Sequence, residues 1–419
     1  VKILKTVIEK VLPDEKKVFK KVDYIVDKIN SSINDWDIKA VCTVGGSIAK
    51  GTFLKGDYDC DLFVKFDLEF KDMSISDILE KVLKSVFKNI ERIHGSRDYF
   101  QFKYKSIDYE VVPVLNIKDI SQLVNTTDAS PLHVNWIKNF NKSNEIRLSK
   151  AFCKGIGVYG AESYVKGFSG HVLDILTLHY GGFLKLLNAV SNWQKKEVVD
   201  HYKIYKGKAL QKLNLSKIQS PLIVVDPIQK ERNASAALGI VKYNIFIQKA
   251  KEFLEKPSIS FFNKEKFSLV KIRKEGKGLN LIILEVVPFK GKQDVIGAKL
   301  LKAFEYLSKY FQINEFVVIK SGWSWNSKKK DKDGHYENAV FYFILKDEIL
   351  SSIVTRIGPP VKVKSHADKF LKTHKDTFEL NGRLHAKIKR EFRKPEQLVR
   401  FIIKDNYIKE KVKIIKIIK

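Results

Sequence analysis

From Tyr58 to Phe66 the sequence reads Tyr-Asp-Cys-Asp-Leu-Phe-Val-Lys-Phe, an alternation that suits an extended backbone and no helix. Neighbouring side chains of a β-strand leave opposite faces, so Cys60, Leu62, Val64 and Phe66 line one side while Asp59, Asp61, Phe63 and Lys65 line the other. One face can pack on a core; the other presents two acids. Upstream, Ala40 to Val44 reads as a second strand, and it runs into Gly45-Gly46-Ser47. Glycines there allow a sharp turn into a helix and let backbone N–H groups approach an anion with no Cβ in the way.

Asp59 and Asp61 lie close enough on one face that their repulsion is costly without a cation between them. Mg²⁺ suits such a pair, because it takes a few carboxylate oxygens and shares its other positions with water and substrate phosphates. Ser47 adds a hydroxyl and Lys50 a positive charge beside the turn. A glycine turn before a helix is by itself a common junction, and alternating acids usually mark a solvent face. Together they describe a site for nucleotidyl transfer. Such a site needs a third carboxylate for a second metal. The run Ile107-Asp108-Tyr109-Glu110-Val111-Val112-Pro113 offers two on one strand face, and Glu110 is preferred because it sits deeper in the apolar run, with Asp108 as the fallback.

At 419 residues the chain exceeds what one hydrophobic core organises, so three or four domains or subdomains are expected. Helical spacing opens the chain and restarts after Pro13. A helix near Ser76 to Asn89 and strands at Tyr99 to Lys105 and Ile107 to Leu115 complete an α/β head. Helices follow at Asn144 to Lys154, His171 to Leu187 and Ala234 to Leu254. Beyond Pro257 come strands at Leu279 to Val287, Glu315 to Lys320 and Asn338 to Leu345, around a helix from Asp294 to Phe311. Lys328 to Gly334 reads as a solvated loop, and Gly358-Pro359-Pro360 separates a final segment with a helix at Lys364 to His374 and strands around Phe378 to Phe392. The Lys/Ile alternation from Lys409 to Lys419 reads as an element capping a domain.

Lys and Arg number 77 against 48 Asp and Glu, a formal charge of +29 that points to a polyanionic partner. Only ten of the 77 are Arg, however, and a lysine bias can decorate any surface. Cys42, Cys60 and Cys153 stand far apart with no C-x-x-C spacing, which argues against a zinc ribbon or disulfide framework and fits a reducing compartment. Lys2, Lys5 and Lys10 interrupt the first apolar residues, unlike a signal peptide, and no stretch approaches the roughly 18 apolar residues of a membrane span. A cytoplasmic, membrane-free protein is expected.

The run Val44-Gly45-Gly46-Ser47-Ile48-Ala49-Lys50-Gly51-Thr52-Phe53-Leu54-Lys55-Gly56 followed by Asp59-x-Asp61 resembles the signature of the polymerase-beta-like nucleotidyltransferases in their archaeal, class I CCA-adding form. The likeness continues in Tyr109 to Pro113, Ser130 to His133, Tyr159 to Glu162, Val165 to Gly170, Val224 to Pro227, Arg232 to Ala234, Pro257-Ser258 and Gly358 to Pro360, nearly the whole chain. It implies an α+β multidomain fold: a catalytic nucleotidyltransferase head (1–135), a helical, nucleotide-binding neck (136–256), an α/β body (257–348) and a tail with the C-terminal part of the body that binds tRNA (349–419). The implied activity is template-independent addition of C, C and A to tRNA 3′ ends from CTP and ATP, with two Mg²⁺ ions as cofactors. Oligomeric state is left open, a homodimer included. The alternatives are a related RNA-tailing enzyme, either poly(A)-type or an oligonucleotide synthetase, and a non-catalytic RNA-binding protein.

By that resemblance Asp59, Asp61 and Glu110 are the metal ligands and catalytic residues. The family usually has Glu first and Asp third, so the acids at Asp59 and Glu110 are exchanged; each swap changes reach by one methylene and keeps the charge. Arg147, Lys150 and Lys154 share one helical stripe, which beside a nucleotide site becomes a triphosphate clamp. The family pattern gives that role to Lys150 and Tyr159, and places Ser130 and His133 near the sugar and phosphates; Gly46, Ser47 and Lys50 complete the nucleotide set. Arg232 is the candidate base reader. Arg offers donors only, and cytosine N3 and adenine N1 are acceptors where uracil and guanine carry N–H. Lys154, the lysines of 328–332 and Gly358, Pro359 and Pro360 are the candidate RNA contacts, tracking backbone rather than sequence.

Overall fold

A computed structural model describes residues 2–57, 59–327, 329, 331–332 and 334–418. Tyr58, where the alternating strand is expected to begin, and Lys328 and Lys330 of the basic loop lie outside the described residues, with Val1, Asp333 and Lys419. The chain forms two compact units, 1–265 and 266–419.

In the first unit, α1 (Lys2–Val11) and α2 (Glu15–Asp35) lead into the head. Asp14 caps α2 by accepting from the Lys17 N–H at 3.1 Å. There follow β1 (Ala40–Val44), the one-turn helix α3 (Gly46–Ala49), β2 (Asp59–Phe66), α4 (Ile75–Val86), β3 (Glu91–Ile93), β4 (Tyr99–Tyr104) and β5 (Ile107–Leu115). They build a five-stranded sheet in the order β1-β2-β5-β4-β3. β2 and β5 run parallel; every other pair is antiparallel. Cys60, Leu62, Val64 and Phe66 are buried in one core with the α2 stripe Val18, Val22, Ile25, Ile29 and Ile33. The opposite face of β2 is covered only beyond its acids, where Phe63 packs with Val112, Val114 and Val134. The acid-bearing end is thereby left open.

Helices then dominate: α5 (Ser130–Lys138), α6 (Ser143–Gly155), α7 (Gly170–Tyr180) and α8 (Phe183–Val190). The small parallel pair β6 (Glu197–Asp200) and β7 (Leu222–Val225) flanks the short α9 (Ala209–Lys212), and α10 (Ile240–Glu255) follows. The single helix expected over 171–187 is two, because Gly181 and Gly182 both take positive φ, +82° and +141°, and end α7. The helix expected from Ala234 starts at Ile240, since Asn233 ties its segment to β7 by accepting from the Val224 N–H at 3.0 Å.

The second unit contains α11 (Leu269–Glu275), β8 (Asn280–Val287), α12 (Gln293–Ile313), β9 (Val318–Ser324), β10 (Ala339–Leu345), β11 (Ile353–Pro360), α13 (Lys364–Thr373), β12 (Thr377–Leu380), β13 (Arg383–Lys389), α14 (Pro395–Ile402), α15 (Asn406–Lys411) and β14 (Ile414–Ile418). Its strands make two antiparallel sheets, β14-β8-β10-β9 and β11-β13-β12. One expectation changes here, and another takes a definite form. Gly358-Pro359-Pro360 is no separator but the irregular end of β11, and a Cβ on Gly358 would meet the Phe370 ring at 2.7 Å. The Lys/Ile tail is an edge strand, where one side of its backbone pairs with β8.

One buried carboxylate joins β5 to α5. Asp128 accepts from the N–H groups of Leu115 and Asn125, both at 2.9 Å, and is paired with Arg97. Asp128→Ala strands those donors and a largely buried guanidinium, so it should lower the unfolding free energy by about 3 kcal/mol. Urea denaturation reads this directly, and a loss below about 0.5 kcal/mol would show the joint to be ornamental.

Candidate active site

The parallel register sets Asp59 opposite Asp108 and Asp61 opposite Glu110. Asp108 is exposed and has Lys103 at 3.5 Å, whereas Glu110 is half-buried beside Asp61. Above them sits the glycine turn. The Gly45 N–H donates to the Asp61 carbonyl at 2.7 Å, and Gly46 has φ +52° with its Cα pressed so close to Asp61 that any Cβ would collide with the carboxylate. The turn and the acid are one construction. Burial pushes the Asp61 carboxyl up to about 7, Glu110 adds to the rise, and Lys50 opposes it. Burial also raises Glu110, against a hydrogen bond that Gln101 donates at 3.0 Å. Two acids that resist ionisation side by side are a site that gains from a divalent cation.

A second group of charges lies where the helices meet the head. Lys50, which caps α3, reaches Asp174 of α7 at 2.9 Å, and Lys150 of α6 reaches the same carboxylate at 3.1 Å and donates to the Thr52 hydroxyl at 2.8 Å. Burial would raise Asp174, but Lys150 and Lys50 outweigh it and bring the carboxyl down to about 2. Burial lowers Lys150, with Asp174 resisting. Tyr159 is next to them: a Cβ on Gly170 would meet its hydroxyl at 3.0 Å and the Lys150 Nζ at 3.7 Å. Lys154 pairs with Asp57 and lies 4.6 Å from the Tyr159 ring centre. Arg147, the third cation of the expected stripe, is elsewhere. It is buried in a joint with Glu15 at 2.5 Å, Asn144 at 2.9 Å and the Phe53 carbonyl at 3.2 Å, a structural contact between α6 and the start of α2.

A third group surrounds Asp226, just after β7. His133 Nε2 lies 2.8 Å from its Oδ1, while His171 Nε2 and Arg232 Nη1 lie 3.2 and 3.0 Å from its Oδ2. The donor atoms of His133, His171 and Asp226 all fall within 4.8 Å, a set able to hold a metal ion. Arg232 already brings a full positive charge to that carboxylate, which works against a further cation there. Ser130 opens α5 one turn before His133. His171 and Asp174 stand one turn apart on α7, so a single helix end touches both the lysine pair and the Asp226 group.

The head therefore gathers Gly46, Ser47, Asp59, Asp61 and Glu110 around the central strand pair β2 and β5, Asp174 gathers Lys50 and Lys150, and Asp226 gathers His133 and Arg232. Gly358, Pro359 and Pro360 belong to the second unit. Sequence reasoning missed Asp174, His171, Asp226 and Thr52. The only signal was an acid inside the apolar helical run Val172-Leu173-Asp174-Ile175-Leu176, where a charge needs a partner.

Residues 144–263 match the model of the tRNA nucleotidyltransferase second domain, and 284–413 that of the CCA-adding enzyme C-terminal domain. The chain is 32% identical over 422 residues to the CCA-adding enzyme of Methanocaldococcus jannaschii, covering 96% of this chain and 91% of that protein. It is 31% identical to the CCA-adding enzyme of Nanoarchaeum equitans, with 90% of each covered. Among solved structures, the Cid1 poly(U) polymerase with Mg 3′-dATP aligns with a TM-score of 0.51 at 12% identity, over 63% of this chain and 98% of that one, a likeness of fold. No helix of the described residues is long and apolar enough to cross a membrane.

Burial lowers His171 to about 4, with Asp226 opposing and His133 and Lys50 assisting. An unfolded histidine takes its proton near 6.5, so between pH 6.5 and 4 the unfolded chain binds protons that the folded one refuses. Stability is full above that window and falls on acidification through it, by up to about 3 kcal/mol from this residue. His171→Gln should flatten the decline seen in thermal melts from pH 6.5 to 4, and an unchanged slope would place the proton elsewhere.

Proposed function

The chain belongs to the family of CCA-adding enzymes, and from that premise we propose that Asp59, Asp61 and Glu110 form a two-Mg²⁺ site where a tRNA 3′-hydroxyl attacks the α-phosphorus of CTP or ATP. Pyrophosphate leaves. The chain is a nucleotidyltransferase that extends RNA 3′ ends without a template. The observation that carries the site assignment is the Asp61 carboxyl, held under Gly46 beside Glu110 and pushed up to about 7. A hard divalent cation fits that need, and the exchanged acids at Asp59 and Glu110 keep the charge that it requires. Bound there, Mg²⁺ lowers the pKa of the attacking hydroxyl and neutralises charge on the phosphates.

The protein's own groups do the rest. Gly46 and Ser47 present N–H and hydroxyl donors to phosphate oxygens without a Cβ between. Lys50 and Lys150, pre-set by Asp174, face the triphosphate with Tyr159, and Ser130 and His133 attend the sugar. Arg232 reads the pairing edge. Lys154 and the Gly358-Pro359-Pro360 strand end follow RNA backbone. The head (1–135), neck (136–256), body (257–348) and the tail with the C-terminal part of the body (349–419) are the division we propose for these tasks.

Asp61→Asn should reduce nucleotide incorporation by at least about a thousandfold while RNA affinity in filter binding stays within about threefold. Near-normal turnover would remove the carboxylate site. Purified protein given tRNA lacking its last three, two or one nucleotides, with each NTP separately, should stop once CCA is restored; continued tailing would make it a poly(A)-type enzyme instead.

A further inference from the structure

Asp226 has no exposed surface, yet it receives donors from three separate elements. Its Oδ1 meets His133 of α5 at 2.8 Å and also accepts the Ile228 and Gln229 N–H groups at 2.9 and 3.0 Å; its Oδ2 meets His171 of α7 and Arg232. Its own N–H donates to the Arg232 carbonyl at 3.0 Å, and the Arg232 N–H donates to the Gln229 carbonyl at 2.8 Å. The segment from Asp226 to Arg232 is thus closed on itself by one side chain. Burial would raise this carboxyl, but the hydrogen bonds from His133 and His171 hold it well below the usual range, so it stays an acceptor throughout.

Arg232 is the exposed end of this assembly, its side chain 48% accessible and anchored only through Nη1. Its Nε and Nη2 donors make no hydrogen bond among the described residues. A guanidinium free to rotate would find an acceptor on any base, including uracil O4 or guanine O6. Rejection of U and G needs the fork fixed, so that an N–H on the base meets an N–H that cannot move aside. The geometry points to Asp226 as the positioning residue for nucleotide selection: it clamps Arg232 in the orientation that accepts C and A, and ties that orientation through His133 and His171 to α5 and α7. Because α7 also carries Asp174, the clamp and the lysine pair share one rigid support.

This inference rests on the base-reading role of Arg232 given above, and the test separates the two. Measure kcat/KM for CTP and UTP on tRNA lacking CCA, for wild type, Asp226→Asn, Asp226→Glu, Arg232→Ala and the Asp226→Glu/Arg232→Ala double variant, with thermal melts of each. Asn introduces an amide donor against donors already present, whereas Glu keeps the charge but shifts the guanidinium by a methylene. The CTP-to-UTP ratio should fall about 10- to 100-fold in Asp226→Asn and by a smaller factor in Asp226→Glu, and the double variant should lose no more than Arg232→Ala alone. A structural role alone would lower the melting temperature and both kcat/KM values together with the ratio intact, which overturns the proposal. Should Asp226→Asn fail to fold, Asp226→Glu decides. If Arg232→Ala leaves the ratio unchanged, the base-reading assignment itself falls; if Arg232→Ala relaxes it while folded Asp226 variants do not, only the clamp falls.

Discussion

Like charges on adjacent strands repel, and the acid-bearing end of the head is built around holding Asp61 beside Glu110 in spite of that. Parallel pairing of β2 with β5 fixes the register, and the opposite faces of both strands are locked into a core with α2 and α4, so neither strand can slide to relieve the repulsion. Gly46 closes the space from above. The proximity of the two carboxyls is therefore set by the sheet and the turn above it, and it shows in their raised pKa values rather than in any movement of the strands.

The two buried hubs answer the opposite problem. Lys50 and Lys150 are like charges too, and Asp174 offsets them; Asp226 pairs with one nitrogen each of two imidazoles and a guanidinium. A buried charge without a partner is costly, whereas one shared among several donors keeps its neighbours in a single arrangement. Each hub also joins segments distant in sequence: Asp174 links the glycine turn, α6 and α7, and Asp226 links α5, α7 and the loop after β7. The lysines and histidines of each hub are consequently held in place by the fold itself, with no ligand needed to order them.

The alternation of β2 and the spacing of its acids were legible in the sequence because period two leaves no other reading for Cys60 to Phe66. The same local logic failed where long-range contacts decide. Arg147 shares a helical stripe with Lys150 and Lys154, yet Glu15 and the Phe53 carbonyl draw it into a joint that no periodicity announces. The pair Gly181-Gly182 was visible, but only the backbone shows both glycines at positive φ, dividing one helical pattern into two helices. Gly358-Pro359-Pro360 reads as a breaker and is the end of a strand, tolerated because the register already slips there. His133 and Asp226 are 93 positions apart, and Lys50 and Asp174 are 124 apart. Such pairings belong to the fold, and one sequence carries no trace of them beyond an acid in an apolar run.

Composition gains meaning once these contacts are known. The chain carries 77 basic residues of which only ten are Arg, so lysine is the background and arginine the exception. Lysine supplies diffuse attraction to a polyanion, needing no fixed geometry. Several of the arginines set a planar fork against more than one acceptor: Arg92 with Asp77, Glu80 and Asp98, Arg97 at Asp128, Arg147 with Glu15 and the Phe53 carbonyl, and Arg390 with Glu315 and two carbonyls. Four of these forks are internal joints. Arg232 follows the same rule on its Asp226 side, while its Nε and Nη2 donors make no hydrogen bond among the described residues, so the carboxylate fixes one end of the fork and leaves the other exposed.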